Sequence, residues 1–316
     1  MHLITKYLLH LITTIYIIII VVINSIYYQI GVKNMKKTFE QVKAKYDAGK
    51  LLSKGDCKVI IDRIYSDFRN KEYNETLFDV LINNAEKVVE KLGRPLSDTE
   101  VKDYYGLSFC NNHTAKMAGM ESLSTNNKVN ERCAKNKCIP GSICEFCFAD
   151  RQIDMFSSMD KPLTINYLLL NYKVLPVSIL PIINRQYARF ESFGDAASAI
   201  QAINYCNICT AHEINRNCNF AAWSKNPDYW YPAFRMVGKP ENLSFGVSSL
   251  FLNKENTIPE KYKKYVDFLF TVFETEKAAV EAGFTVNCGA RHCLSCLRCY
   301  KANKSKELTH VIEIKK

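Results

Sequence analysis

Beyond residue 35, apolar positions recur at helical spacing through the first part of the chain. From residue 38 to about residue 92 they fall three or four positions apart, which is the spacing that buries one face of an amphipathic helix. Ser97 followed by Glu100 has the pattern of a capping box that begins a further short helix. We therefore predict a helical N-terminal region over residues 35–106.

The second half of the chain alternates between strand-like and helix-like runs. The pattern predicts strands at 187–193, 219–224, 243–251 and 284–287, and helices at 196–213 and 261–283, after a long loop at 107–147. Strands separated by helices are typical of parallel βα units, which build an open parallel sheet or a partial (β/α) barrel. We predict an α/β fold, with a cysteine-rich α/β domain over 107–316 and its site on the loops that follow the strands.

Seven of the thirteen cysteines lie in two short groups. The first group, C-x5-C-x2-C, is Cys138, Cys144 and Cys147, and the second, C-x4-C-x2-C-x2-C, is Cys288, Cys293, Cys296 and Cys299. Two residues between thiolates allow both to face one ion or cluster edge, and a disulfide across so short a loop gains little chain entropy. The spacing therefore predicts metal-binding loops, with a [4Fe-4S] cluster or zinc as the metal.

The ligand number separates two interpretations of the first group. Three ligands leave one position of a cubane cluster open to a cofactor or substrate, as catalysis requires. Cys133 as a fourth ligand would instead close a structural zinc site. The second group has four ligands, and thiolate spacing alone does not distinguish zinc from iron-sulfur. Cys206, Cys209 and Cys218 are better explained as small core residues.

Polar side chains occupy the first predicted strand and the turn after it. Arg189 and Glu191 alternate onto the same side, and Ser192 and Asp195 follow. These four residues are candidates for holding the amino and carboxylate groups of a small-molecule cofactor. The alternative is a buried structural network in which they pair with one another.

The first 34 residues differ from all that follow. Residues 7–30 are almost purely apolar, long enough to span a bilayer, and more lysines follow the run than precede it. This segment is either a transmembrane anchor that leaves the main domain on the cytoplasmic side, or a mis-called start upstream of Met35. Under either interpretation the main domain faces the cytoplasm, and a membrane contact exists only if residues 1–34 are translated.

Composition adds two constraints. At 316 residues and 47% hydrophobic, the chain is long and apolar enough for a sizeable core, which excludes a largely disordered protein. The formal charge of +10 permits a nucleic-acid partner without requiring one, because the basic residues are spread along the chain.

Several segments together resemble the gene product 88 family of phage and prophage proteins. They are LSFCNNHTAKMAG, CIPGSICEFCFAD, RFESFGD, FAAWSKN and CGARHCLSCLRC, spread over residues 107–299. In that family the first cysteine set ends in C-x-x-C-Tyr-Ala and a later strand bears Arg and Ser-Gly-Asp. Here Phe148 replaces the tyrosine and Phe193 separates Ser192 from Gly194. The family has no settled activity, so the resemblance implies a phage-type protein without a reaction.

More distantly, the layout resembles radical S-adenosylmethionine enzymes, which commonly use C-x3-C-x-aromatic-C. Phe146 stands at the aromatic position, but the first gap is five residues instead of three, and a Gly-Gly-Glu motif is absent. The resemblance implies that S-adenosylmethionine binds the open iron, with Glu191 or Asp195 on its amine. Our leading hypothesis is an iron-sulfur protein of this type with an unknown substrate. The alternative is a non-catalytic, zinc-stabilised phage protein that binds nucleic acid or another protein.

Overall fold

A seven-stranded sheet is the framework of the protein. The computed structural model describes residues 37–111, 115–289, 292–305 and 307–315. The strands among these residues are β1 (Phe109–Asn111), β2 (Glu121–Leu123), β3 (Tyr187–Phe190), β4 (Asn219–Ser224), β5 (Leu243–Ser248), β6 (Phe268–Phe273) and β7 (Thr309–Ile314). β1 and β2 are antiparallel, and every later pair is parallel. The predicted α/β class is therefore confirmed, with a mostly parallel sheet.

The strands lie side by side in chain order, from β1 to β7. In the described part of the chain, β1 and β7 form opposite edges and do not pair with each other, so the sheet is open. Parallel neighbours need crossover connections, and right-handed crossovers place the intervening helices on one face. The carboxyl ends of β2 to β7 consequently share one edge of the sheet.

Eleven α-helices occur within the described ranges. They are α1 (Phe39–Asp47), α2 (Lys54–Arg69), α3 (Leu77–Leu92), α4 (Asp98–Tyr105), α5 (Glu131–Lys137), α6 (Phe148–Met155), α7 (Asp160–Tyr172), α8 (Ala199–Thr210), α9 (Trp230–Val237), α10 (Glu276–Glu281) and α11 (Cys293–Cys296). The helical N-terminal region predicted from periodicity corresponds to α1 to α4. Side-chain caps explain where three of these helices begin: Thr38, Ser53 and Ser97 each accept a hydrogen bond within a capping box.

One apolar core joins the N-terminal helices to one face of the sheet. It contains Val42 of α1, Leu81 of α3 and Leu169 of α7, together with strand residues. Phe190 of β3 stacks on Phe220 of β4, with ring centres 5.1 Å apart. Burying aromatic and aliphatic side chains of this size stabilises the fold by roughly 1.5–3 kcal/mol each.

The opposite face of the sheet is covered by the cysteine-bearing segment 292–305. Tyr300 of this segment packs edge-on against Tyr187 of β3, with ring centres 5.9 Å apart. Ala302 packs with Phe268 of β6 and Val311 of β7. Helices thus cover one face of the sheet, and a short irregular segment covers part of the other.

A glycine in β5 permits close packing on this second face. A β-carbon on Gly246 would lie 2.1 Å from the ring of Phe268, far inside van der Waals contact. Only glycine leaves room for this ring beside the strand backbone.

The C-terminal third departs most from the sequence-based prediction. Residues 261–283, predicted as one helix, contain β6 and the short helix α10. FLFTVF is an apolar run with side chains buried on both faces, so periodicity does not separate it from a buried helix. Residues 284–287, predicted as a strand, lie outside the named strands, and β1, β2 and β7 were not predicted. Strand 243–251 ends earlier, at Ser248.

None of the helices that the structure describes combines the length and the apolar character needed to cross a membrane. The apolar segment 1–34, on which the predicted transmembrane anchor depends, lies outside the described residues.

Candidate functional site

Three buried serines mark the shared carboxyl edge of β2 and β3. Ser122 lies in β2, Ser124 follows that strand, and Ser192 follows β3. The Ser192 hydroxyl donates to the Ser122 hydroxyl at 2.7 Å, and its own backbone N–H donates to the Ser124 hydroxyl at 3.0 Å. This chain of hydroxyls satisfies polar groups that burial would otherwise leave unpaired, so Ser192 is part of the internal structure of the edge.

Glu191 lies just beyond β3 in the left-handed region, with φ of 55°. This backbone conformation ends the alternation of the strand and turns the carboxylate toward the helix-covered face. There it accepts hydrogen bonds from the Thr125 backbone N–H and hydroxyl at 3.0 and 2.8 Å, and from the Tyr205 hydroxyl at 2.6 Å. The Gln201 side-chain amide donates a further bond. The prediction that Glu191 shares a side with Arg189 is therefore wrong, because Glu191 lies outside the regular strand.

Burial raises the pKa of the Glu191 carboxyl to about 7, while hydrogen bonds from Tyr205 and Thr125 act in the opposite direction. A carboxylate removed from water favours its neutral form. Gly194 is required beside it, because a β-carbon at that position would lie 2.5 Å from a Glu191 carboxylate oxygen. Glu191 is thus a tightly enclosed acid that is half-protonated near neutral pH.

Asp195 joins the loop after β3 to the end of β4. It accepts hydrogen bonds from the Ser224 hydroxyl and from the Lys225 backbone N–H, at 2.5 and 2.9 Å. Two weaker or local bonds come from Asn226 and from the backbone of Ala196. Burial raises the pKa of Asp195, and the Ser224 hydrogen bond and the Lys225 charge oppose that shift. Like Glu191, it belongs to an internal hydrogen-bond network, whose partners are residues other than Arg189 and Ser192.

Arg189 points to the other face of the sheet. Its guanidinium carbon lies 3.4 Å from the centre of the Trp223 ring, a stacked cation–π contact. Its two hydrogen bonds go to the sulfur of Met117 at 3.2 Å and to the backbone oxygen of Glu191 at 3.3 Å. The Nε atom is buried without a partner, and no carboxylate of the described residues forms a salt bridge with Arg189. Burial lowers the pKa of Arg189.

A lysine that the sequence analysis missed faces the second cysteine group. The Lys116 ammonium donates to the Cys288 thiol at 2.8 Å and to the Glu313 carboxylate at 2.6 Å. Burial alone would lower the pKa of Lys116, but these two partners raise it above its usual value. Burial raises the pKa of Cys288, against the hydrogen bond from Lys116. Lys116 stands in an Asn- and Lys-rich loop without periodicity, so only the fold reveals its role.

The other thiols of this group surround the same two cations. Burial raises the pKa of Cys293, and the charges of Lys116 and Arg189 act against that shift. Burial raises the pKa of Cys299 to about 12, whereas the side chain of Cys296 is exposed. The hydroxyl of Tyr300 is buried without a hydrogen-bond partner on this face. Two cations and four thiols thus meet beside β3 and β7.

The first cysteine group also lies at the carboxyl edge. The backbone N–H of Ile143, next to Cys144, donates to the Leu250 carbonyl just beyond β5. Lys315, which follows β7, lies 4.7 Å from the exposed ring of Phe146. Burial raises the pKa of Cys144, and the Lys225 charge acts in the opposite direction. The first cysteine group therefore occupies the edge that α/β folds use for their sites, whereas the second group lies over the adjacent face of the sheet.

The two groups do not form metal centres in this structure. Within the described residues, no three His, Cys, Asp or Glu side chains are arranged to hold a metal ion. The predicted metal-binding character is therefore wrong for the part of the chain that the structure describes. Short spacing brings the thiols near one another, but the side chain of Cys138 is exposed at the end of α5, and Lys116 is hydrogen-bonded to the sulfur of Cys288.

Three further cysteines and two aromatic residues belong to the core. Cys206, Cys209 and Cys218 are buried, which confirms their interpretation as small apolar residues. Trp230 and Tyr231 are also buried. Among the basic residues near the second group, Arg298 and Lys301 are exposed, and Arg291 lies outside the described residues. A cavity of about 320 Å³ lies at the amino ends of β6 and β7, away from this edge.

The comparisons with known proteins identify no relative. The chain matches no protein-family model, and it is significantly similar to no curated protein and no solved structure. Its chemistry is therefore inferred from its own residues.

Proposed function

We propose that this protein binds a small organic molecule that carries a carboxylate, and that Arg189 receives that carboxylate. The observation that carries the proposal is the guanidinium of Arg189, which stacks on Trp223 and whose buried Nε atom has no hydrogen-bond partner among the described residues. An enclosed charge is costly unless an opposite charge compensates it. An anionic ligand supplies that compensation.

The hydrogen-bond donors of the Arg189 guanidinium suit the binding of a carboxylate. A guanidinium has five N–H donors in a planar fork that matches a carboxylate with two parallel bonds. Met117 offers only a thioether sulfur, which is a weak acceptor. Replacing that contact by a carboxylate exchanges a weak bond for a charge-assisted one.

Lys116 extends the positive character of the face. Its ammonium is shared between Glu313 and the thiol of Cys288, and the charges of both Lys116 and Arg189 act on Cys293. We expect the ligand to lie between Arg189 and this cysteine group. On this proposal the sequential parallel strands curve into a partial (β/α) barrel whose interior is the Arg189 face.

S-adenosylmethionine is the first candidate ligand, because it carries an amino-acid carboxylate. Glu191 and Asp195 are engaged by four hydrogen bonds each. On this proposal these acids hold the loops that shape the site, and Arg189 makes the direct contact.

The test is calorimetric titration of the full chain with S-adenosylmethionine and, separately, with L-methionine, under reducing conditions. We expect saturable binding of at least one of them to the wild type. Arg189→Met keeps a long apolar side chain but removes the charge, and it should weaken binding roughly 10- to 100-fold, the value of a charge-assisted hydrogen-bond pair.

Arg235→Met is the matched control, because Arg235 is exposed in α9 on the helix-covered side. It should bind like the wild type. Absence of binding for both ligands, or equal affinity in the Arg189→Met protein, would overturn the proposal.

A further inference from the structure

The short helix α11 carries a cysteine at each end. Cys293 is its first residue and Cys296 its last. Residues three apart on a helix are neighbours, with β-carbons roughly 5–6 Å apart. A disulfide needs β-carbons near 3.5–4.5 Å, so a small local adjustment brings the two sulfurs within bonding distance.

The two thiols differ in solvent exposure. The side chain of Cys296 is exposed, and that of Cys293 is half-buried beside Met120 and Tyr300. The positive charges of Lys116 and Arg189 act on Cys293. An exposed attacking thiol next to a shielded thiol that lies near cations is the arrangement of a redox-active C-x2-C pair.

The backbone around α11 permits the adjustment. The helix is a single turn, and Leu297 immediately after it lies in the left-handed region with φ of 53°. Leu294 and Ser295, between the two cysteines, are exposed, and the Ser295 hydroxyl donates only to the nearby His292 carbonyl. A disulfide across so short a loop gains little chain entropy, so the bond is easily reduced again.

From this geometry we infer that Cys293 and Cys296 are a reversible dithiol–disulfide pair that exchanges with low-molecular-weight disulfides. The thiolate of Cys296 attacks one sulfur of the disulfide and releases the first small thiol. The thiolate of Cys293 then attacks the mixed disulfide and releases the second. Overall, two protein thiols become one disulfide and one small disulfide becomes two thiols, so electrons and protons balance. The inference is independent of any bound carboxylate ligand.

A tryptic peptide allows the oxidation state of Cys293 and Cys296 to be measured directly. Trypsin cleaves after Arg291 and Arg298, which releases the peptide HCLSCLR with both cysteines and without Cys288 or Cys299. The full chain is equilibrated in buffers of defined ratio of oxidised to reduced glutathione, alkylated and digested. We expect this peptide to become resistant to alkylation and lighter by two hydrogens in oxidising buffers, and to revert in reducing ones.

The chain also offers a matched control with the same spacing. Cys206 and Cys209 are three apart on α8, but both are buried in the core, so they should stay reduced in the same buffers. In Cys296→Ser, the Cys293 thiol should alkylate fully at every ratio. The inference is overturned if HCLSCLR stays fully reduced across the series, if the buried pair oxidises equally, or if Cys293 instead bonds to Cys299, which Cys299→Ser would reveal.

Discussion

Replacing Glu191 by glutamine should remove a specific pH dependence of stability. Burial raises the pKa of this carboxyl from 4.5 to about 7 in the folded protein. A raised folded-state pKa stabilises the fold at low pH, and that contribution is lost as pH rises through 7, because the unfolded chain ionises more easily. From these two values, wild-type stability should fall by about 2 kcal/mol between pH 5.5 and pH 8.5 relative to a chain without the group.

Glutamine resembles the protonated form of Glu191. Its oxygen can accept from the Thr125 backbone N–H, and its amide can donate to the Tyr205 hydroxyl, which can act as donor or acceptor. The Gln201 amide, which donates to Glu191 in the wild type, loses its acceptor in this arrangement. We therefore expect Glu191→Gln to be folded and to lack the 2 kcal/mol loss.

The measurement is urea unfolding at four pH values from 5.5 to 8.5 with a thiol reductant present. Other titrating groups remain in both proteins, so the difference between them reports Glu191 together with its coupling to the nearby Asp195 charge. Glu90→Gln is the control, because Glu90 is exposed on α3, and its pH profile should follow the wild type. Parallel profiles of the wild type and Glu191→Gln would refute the reasoning.

Two further predictions concern packing and buried hydrogen bonds. Gly246→Ala places a β-carbon 2.1 Å from the Phe268 ring. Urea unfolding should therefore show that the free energy of unfolding falls by roughly 1–3 kcal/mol or more. An unchanged unfolding midpoint would show that the ring moves away without cost. Asn84→Ala leaves the buried Leu52 backbone N–H without its 2.7 Å acceptor. We expect a loss of about 1–3 kcal/mol, and Asn83→Ala, at an exposed neighbour, should change stability by less than about 0.5 kcal/mol.

The sequence predicted elements best where one local signal dominated. The capping box at Ser97 and Glu100 is present, and the predicted strand 219–224 coincides with β4. Prediction failed for β6, because FLFTVF is buried on both faces and has no alternation to detect. β1 and β2 are only three residues long, and strands so short leave little periodic signal in the chain.

At the candidate site too, local sequence signals predicted some contacts, and the others depend on the tertiary fold. Local spacing identified Cys293 and Cys296 as neighbours, but the convergence of side chains on a metal depends on backbone orientation that spacing does not contain. The placement of Arg189 against Trp223 required pairing between β3 and β4, and Lys116 reached Cys288 from 172 residues away in sequence. Contacts of such long range arise only from the tertiary fold.

The sequential strand order has a consequence for synthesis on the ribosome. Because β2 to β7 each add next to the strand that precedes them in the chain, every emerging βα unit finds its pairing edge already formed. The N-terminal helices and β3 can therefore assemble before the chain is complete. Segment 292–305 comes after β6, so the Arg189 face remains uncovered until that segment has left the exit tunnel. A nascent chain stalled before this point would expose the ring of Tyr187 and the face around it, and chaperones that bind aromatic surface would recognise it during that interval.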